Sequence, residues 1–230
     1  DSLACAGDSR ARCGADVAGR KRGIAQPRIR NVCAFQFGRV DFSLGLVDTA
    51  RCLEAKLPSA AFYSPANRLI YEKLCELDVP AMIHTASSCN PNFHGTGAHY
   101  INGDTTAFVQ FLTSDIFRDF PTLKFILPHG GGAAPYHWGR YRGIAQDMGL
   151  PPLEEKVLRN VYFDTCVYHQ PGIDLLLSVV PSANVLFASE TFGAVNGIDP
   201  RSGHAFDHTR RYIEASPAAD ATMRQRIYSD

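Results

Sequence analysis

One pattern repeats along the second part of this chain and limits what it can fold into. A short apolar run ends in a polar residue and is followed by a segment with apolar residues at helical spacing. The four runs are VPAMIHT (79–85), LKFILP (123–128) followed by His129, NVYFDT (160–165), and NVLFAS (184–189) followed by Glu190. They are too apolar to keep one face wet, which predicts a parallel sheet covered by helices on its outside. NRLIYEKLCEL (67–77) has the helical period, and Asp104 reads as the N-cap of a helix closed before Pro121. Further helices are expected near 136–147, 153–159, 173–180, 207–216 and 218–228. The stretch 86–103 has no clear periodicity and is expected to be a long loop reaching over the strand ends.

The polar residues at those ends are His84, His129, Asp164 and Glu190. One histidine after a strand is usually a hydrogen-bonded structural residue; four such positions in register predict a shared site. In a (β/α)8 barrel the strand ends open onto one face, and in a doubly wound sheet they line a crevice. Imidazole and carboxylate are the usual ligands of zinc or a similar divalent ion, so His84 and Glu190 are candidate metal ligands. Two are too few, and further ligands must come from elsewhere.

Composition narrows the partners. Lys plus Arg and Asp plus Glu each number 23, so the net charge is zero and gives no electrostatic case for nucleic acid or a membrane surface. No stretch approaches the ~20 apolar residues that span a bilayer. Seven cysteines at irregular spacing fit reduced thiols in a cytoplasm. Residues 1–60 differ from the rest: ten basic residues stand against six acidic ones, with four of the cysteines and no histidine or tyrosine. The segment 1–65 shows no useful period and reads either as a flexible basic tail or as the product of a displaced reading frame. Its cysteines contain no C-x-x-C, which argues against a metal site there.

The segments IHTASSCNPNFHGTGAHYINGDTTAF, PHGGGAAPYHWGRYRG, FDTCVYHQPGIDLL and VLFASETFGAVNGIDPRSG resemble the amidohydrolase superfamily, in its decarboxylase-and-hydratase branch. The resemblance covers about residues 66–230. It implies a (β/α)8 TIM-type barrel of which this chain carries the C-terminal half. It also implies one zinc, held by an H-x-H pair on the first strand, a His on the fifth and a carboxylate on the eighth. Residue by residue, His84 matches the fifth-strand ligand and Glu190 the eighth-strand carboxylate. His129 matches the sixth-strand active-site histidine, and Tyr100 a tyrosine that transfers a proton. Glu190 stands where the branch usually has Asp, a mark of its hydratase subgroup. No H-x-H occurs, and the first histidine of the chain is His84.

The activity implied is addition of water to 4-oxalomesaconate or its enol tautomer in aromatic-acid catabolism. A decarboxylase or hydrolase of the same superfamily, or an inactive half-barrel, are the rival expectations. Glu190 would be both ligand and base. The amides of Gly130, Gly131 and Gly132 would form an anion-binding nest; HGGG also resembles an esterase oxyanion motif, but no G-x-S-x-G elbow accompanies it. Arg140, Asn90 and His169 are the expected contacts to a small polycarboxylate substrate, and a homo-oligomer is the expected assembly.

Overall fold

The computed structural model describes residues 65–85, 94–191 and 195–229. The readings made for residues 1–60, and the candidate Asn90, lie outside the described residues. Four short strands form one sheet: β1 (Ala81–Met82), β2 (Phe125–Leu127), β3 (Val161–Asp164) and β4 (Val185–Leu186). All three pairings are parallel and the order is β1-β2-β3-β4. The register aligns Ala81, Phe125 and Val161, and one layer further Phe163 with Val185. This order separates the two architectures left open above. Each crossover advances by one strand in the same direction, so right-handed connections place every helix on one face. The result is an arc of a barrel, not a sheet wound in both directions.

Along the chain, α1 (Pro65–Leu77) precedes β1; α2 (Tyr100–Thr113) and α3 (Ile116–Asp119) lead to β2; α4 (Trp138–Asp147) and α5 (Leu153–Lys156) lead to β3; α6 (Gln170–Val179) leads to β4. A two-stranded antiparallel ribbon, β5 (Ile198–Asp199) with β6 (His204–Ala205), and the helices α7 (Thr209–Ala215) and α8 (Ala221–Ser229) complete it. The strands alternate as a half-covered sheet requires. Ala81, Ile83, Phe125, Leu127, Val161, Phe163 and Val185 are buried against the helix layer. Met82, on the other face, is 46% exposed. Phe108 of α2 fills the layer between, with ring centroids 5.2 Å from Tyr141, 5.6 Å from Trp138 and 6.0 Å from Phe163.

Two expectations about the segment before α2 need correction. The stretch 86–103 is not without elements, because Gly95–His99 forms a π-helical turn that runs directly into α2. Asp104 is not an N-cap: it lies inside α2, fully buried. The helix starts earlier because His94 closes the turn, its ring accepting from the Gly97 amide at 3.0 Å. Asp104 is thereby carried inward, where a partner distant in sequence takes its carboxylate.

Candidate active site

Three of the four strand-end residues meet. His84 follows β1, His129 follows β2 and Glu190 follows β4. The His84 and His129 rings lie 6.2 Å apart by centroid, and His129 Nε2 lies 3.7 Å from Glu190 Oε1. Tyr100, the first residue of α2, stacks parallel to the His129 ring at 6.3 Å and lies 5.1 Å from the His84 ring. Tyr100, His129 and Glu190 share a cavity of about 290 Å³ with Thr96, Ile101, Gly132, Cys166, Val167, Tyr168 and Val195. A larger hollow of about 650 Å³ lies along α4 and α5, lined by residues such as Arg142, Gln146 and Glu154. It receives no strand-end residue, so the smaller one is the candidate site.

Asp164 plays a different part from the other three. Its Oδ1 accepts from the amides of Gly130 and Cys166, both at 3.0 Å. Burial pushes this carboxyl above its ordinary range, against the pull of those amides. The expected anion nest is therefore corrected. The Gly130 amide is taken by Asp164, Gly131 donates to the Pro128 carbonyl at 2.9 Å, and Gly132 donates to the His129 carbonyl at 3.1 Å. The glycines serve packing instead: a Cβ on Gly131 would meet Phe163 Cδ1 at 2.5 Å, and one on Gly132 the Ile101 carbonyl oxygen at 2.4 Å.

Tyr168 joins the site although it is not among the residues the sequence singles out. Its hydroxyl donates to Glu190 Oε2, and both side chains line the cavity. Burial, then the Glu190 carboxylate, raise the phenol well above its ordinary value. The signal lay one residue from the histidine selected in CVYHQPG. His169 itself is exposed at the start of α6 and Arg140 is exposed on α4; neither lines the cavity. Cys166 is buried, as expected of a small core residue, and burial followed by the neighbouring Asp164 keeps its thiol protonated.

Behind His129 stands Asp104, whose Oδ2 lies 2.7 Å from Nδ1 of the ring. Burial pushes the Asp104 carboxyl up to about 6, against the lowering effect of His129. For His129 burial acts downward, but the hydrogen bond to Asp104 and the charges of Asp104, Asp164 and Glu190 outweigh it and leave the imidazole above its ordinary value. His129 and Glu190 both hold left-handed backbone, at φ 54° and 52°. Non-glycine residues rarely do so, and such outliers gather at functional sites.

Two residues offer ligands to a divalent ion. His84 Nδ1 is 3.1 Å from the Thr85 carbonyl, which leaves Nε2 for a metal. Glu190 supplies a carboxylate. Among the described residues, no group of three or more His, Cys, Asp and Glu side chains is placed to hold an ion. The donor types fit; their number falls short of the three protein ligands of a catalytic zinc.

The sequence profile of the amidohydrolase family matches residues 50–230. The chain is 60% identical over 150 residues to 2-keto-4-carboxy-3-hexenedioate hydratase of Sphingobium sp., covering 65% of this chain and 44% of that protein. Its fold superposes on the crystal structure of 4-oxalomesaconate hydratase from Rhodopseudomonas palustris with a TM-score of 0.66 and 58% identity, over 72% of this chain and 48% of that one. It also superposes on a manganese-bound 5-carboxyvanillate decarboxylase from Novosphingobium aromaticivorans, with a TM-score of 0.54 and 20% identity, over 73% and 51% of the two chains; this likeness concerns the fold alone. The chain spans about half the length of the relatives it matches.

Proposed function

The chain belongs to the amidohydrolase family, and from that premise we propose that it carries the C-terminal half of a hydratase that adds water to 4-oxalomesaconate or its enol tautomer in aromatic-acid catabolism. The observation that carries this reading is how Glu190 is held: one carboxylate oxygen is engaged by Tyr168 and the other stands beside His129. Tyr168 donates to Oε2 and His129 Nε2 stands 3.7 Å from Oε1, inside a cavity that Tyr100 also lines. A carboxylate so held is aimed, and its neighbours can take and return a proton. The high identity to two proteins named as hydratases supports the reaction class.

In the 2-keto-3-ene isomer of such a substrate, the form in the name of the Sphingobium hydratase, the alkene is conjugated to a ketone, so the carbon β to that ketone is electrophilic. Glu190 accepts a proton from water as the water oxygen bonds to the β carbon. The alkene electron pair shifts toward the ketone as an enolate, and the phenol of Tyr100 delivers a proton to the α carbon. The proton on Glu190 restores the phenol, so one water is added and nothing is oxidised. His129, with a cavity-facing Nε2, accepts hydrogen bonds from water or from substrate hydroxyls beside Glu190.

In the intact family site a divalent ion, zinc in our reading, supplies Lewis acidity toward substrate oxygens. His84 and Glu190 are the positions we assign to it, but they do not complete a site, and no step above runs through it. Unpaired Cys75 and Cys166 support a reducing, cytoplasmic setting, and no helix among the described residues is long and apolar enough to cross a membrane.

The test uses a chain completed with first-strand ligands. Glu190→Gln lowers hydration turnover by about 10²-fold or more, since an amide cannot accept the proton. Tyr100→Phe lowers kcat more than it raises KM. Following alkene absorbance and released CO2 together separates hydration from decarboxylation. Undiminished turnover in both variants removes these roles.

A further inference from the structure

Asp104 is a poor residue for the place it occupies. It lies inside α2, 0% exposed, where a short carboxylate neither favours helix nor contributes apolar contact. Its Oδ1 is buried without a hydrogen-bond partner, and only Oδ2 is engaged, by His129 Nδ1 at 2.7 Å. A buried carboxylate left half satisfied costs stability, and among the described residues no Lys or Arg pairs with it. The fold gains nothing from this carboxylate that an apolar side chain would not supply. What the carboxylate does is confined to the ring it touches.

A carboxylate at Nδ1 selects among the forms of a neutral imidazole. Ionised, it accepts only, so Nδ1 must carry the hydrogen and Nε2 the lone pair. That lone pair lies on the cavity side, 3.7 Å from Glu190 Oε1. The backbone is held separately, since Asp164 Oδ1 fixes the next amide, Gly130, at 3.0 Å. Two carboxylates from two elements thus share the work: Asp164 sets where the His129 main chain sits, and Asp104 sets how its ring is protonated. We propose that Asp104 is a positioning residue that locks His129 into the Nδ1–H tautomer, so that Nε2 meets a bound molecule as a proton acceptor rather than a donor. The inference rests on the reading of His129 as an active-site residue. It deepens that reading by stating what His129 can recognise: a water or substrate hydroxyl, in preference to a bare carboxylate oxygen.

The test needs no turnover. The 230-residue chain is labelled with ¹⁵N and its histidine rings are followed by long-range ¹H–¹⁵N correlation, at a pH where His129 is neutral; His129→Gln assigns the signals by their loss. The expected result is a pyrrole-type Nδ1 and a pyridine-type Nε2 for His129. In Asp104→Asn the side-chain NH2 can donate to Nδ1, so the pyridine-type Nε2 signal is lost or inverted while far-ultraviolet dichroism is unchanged. A merely structural role would leave the tautomer as it was. An Nε2–H tautomer in the unsubstituted chain overturns the proposal, and so does a folded Asn variant with the original tautomer. Should the Asn variant not fold, the unsubstituted spectrum alone decides. A correct tautomer in a completed enzyme that fails to hydrate would defeat the hydratase reading and leave this one standing.

Discussion

Asp104 and His129 make the candidate site sensitive to pH in a direction that can be worked out. The Asp104 carboxyl stands at about 6 in the folded chain because burial disfavours its ionised form, against 3.8 for an unperturbed Asp. A group raised on folding stabilises fully below its unfolded value, and that contribution is lost as pH rises through the folded value. The window is therefore 3.8 to about 6, and at about 1.4 kcal/mol per pH unit the loss is on the order of 3 kcal/mol. His129, also raised, adds a loss of the same sign above its ordinary 6.5. Urea unfolding of the chain is expected to show stability falling as pH rises from 4 to about 6, with Asp104→Asn flattening that slope. An unchanged slope in the variant would place the titration elsewhere. None of this was legible in the sequence. An Asp ahead of Thr105, Thr106 and an apolar run reads as a cap from local signals, and its partner lies 25 positions away. Tyr168 was missed for the same reason, because contact with Glu190 spans 22 residues.

At the scale of elements, the strands and most helices were legible, because each follows from local composition. Four apolar runs ending in polar residues predicted four parallel strands, and the structure has them in sequence order. The lengths were less legible: β1 and β4 span two residues each, where the apolar runs suggested six or so. Apolar character marks burial rather than pairing: Ile83 is buried just past β1 without belonging to the strand. The glycine run after His129 was read as a binding device because glycine amides are free in sequence; the structure commits them to internal acceptors. Gly132 shows the stakes. Its φ is +64°, and a Cβ there would lie 2.4 Å from the Ile101 carbonyl oxygen and 2.6 Å from Thr105 Oγ1. Both neighbours belong to α2, so Gly132→Ala must push that helix off the end of β2. A loss of about 2–4 kcal/mol is expected from the clash and the strained backbone together, read as a lower urea midpoint. Gly139, whose added Cβ meets nothing within 4 Å, should instead gain by replacement with Ala inside α4, by about 0.5–1 kcal/mol.

At the scale of the whole molecule, the arc has one finished face and one unfinished. The helix side is packed around Phe108, Phe125 and Phe163. On the other side Met82 is 46% exposed. Among the described residues, β1 pairs only with β2 and β4 only with β3, so both outer strands offer unpaired backbone groups. Four β/α units arranged this way are half of the eight that close a barrel, in keeping with coverage of 48% of the Rhodopseudomonas hydratase. Association of the 230-residue chain could cover this face, which is why a homo-oligomer is expected, but it would not by itself add an H-x-H. The same arithmetic governs the metal. His84 and Glu190 leave the usual set at least one protein ligand short, and each lost ligand weakens the affinity for the ion. The purified chain is therefore expected to retain well under one zinc per protomer after desalting and to show no measurable hydration of 4-oxalomesaconate. Elemental analysis and an absorbance assay check the two halves separately, with light scattering reporting the assembly. One tightly held zinc per chain together with full turnover would mean that a further ligand comes from residues outside those described or from a second copy, and the two-ligand account of this site would then be wrong.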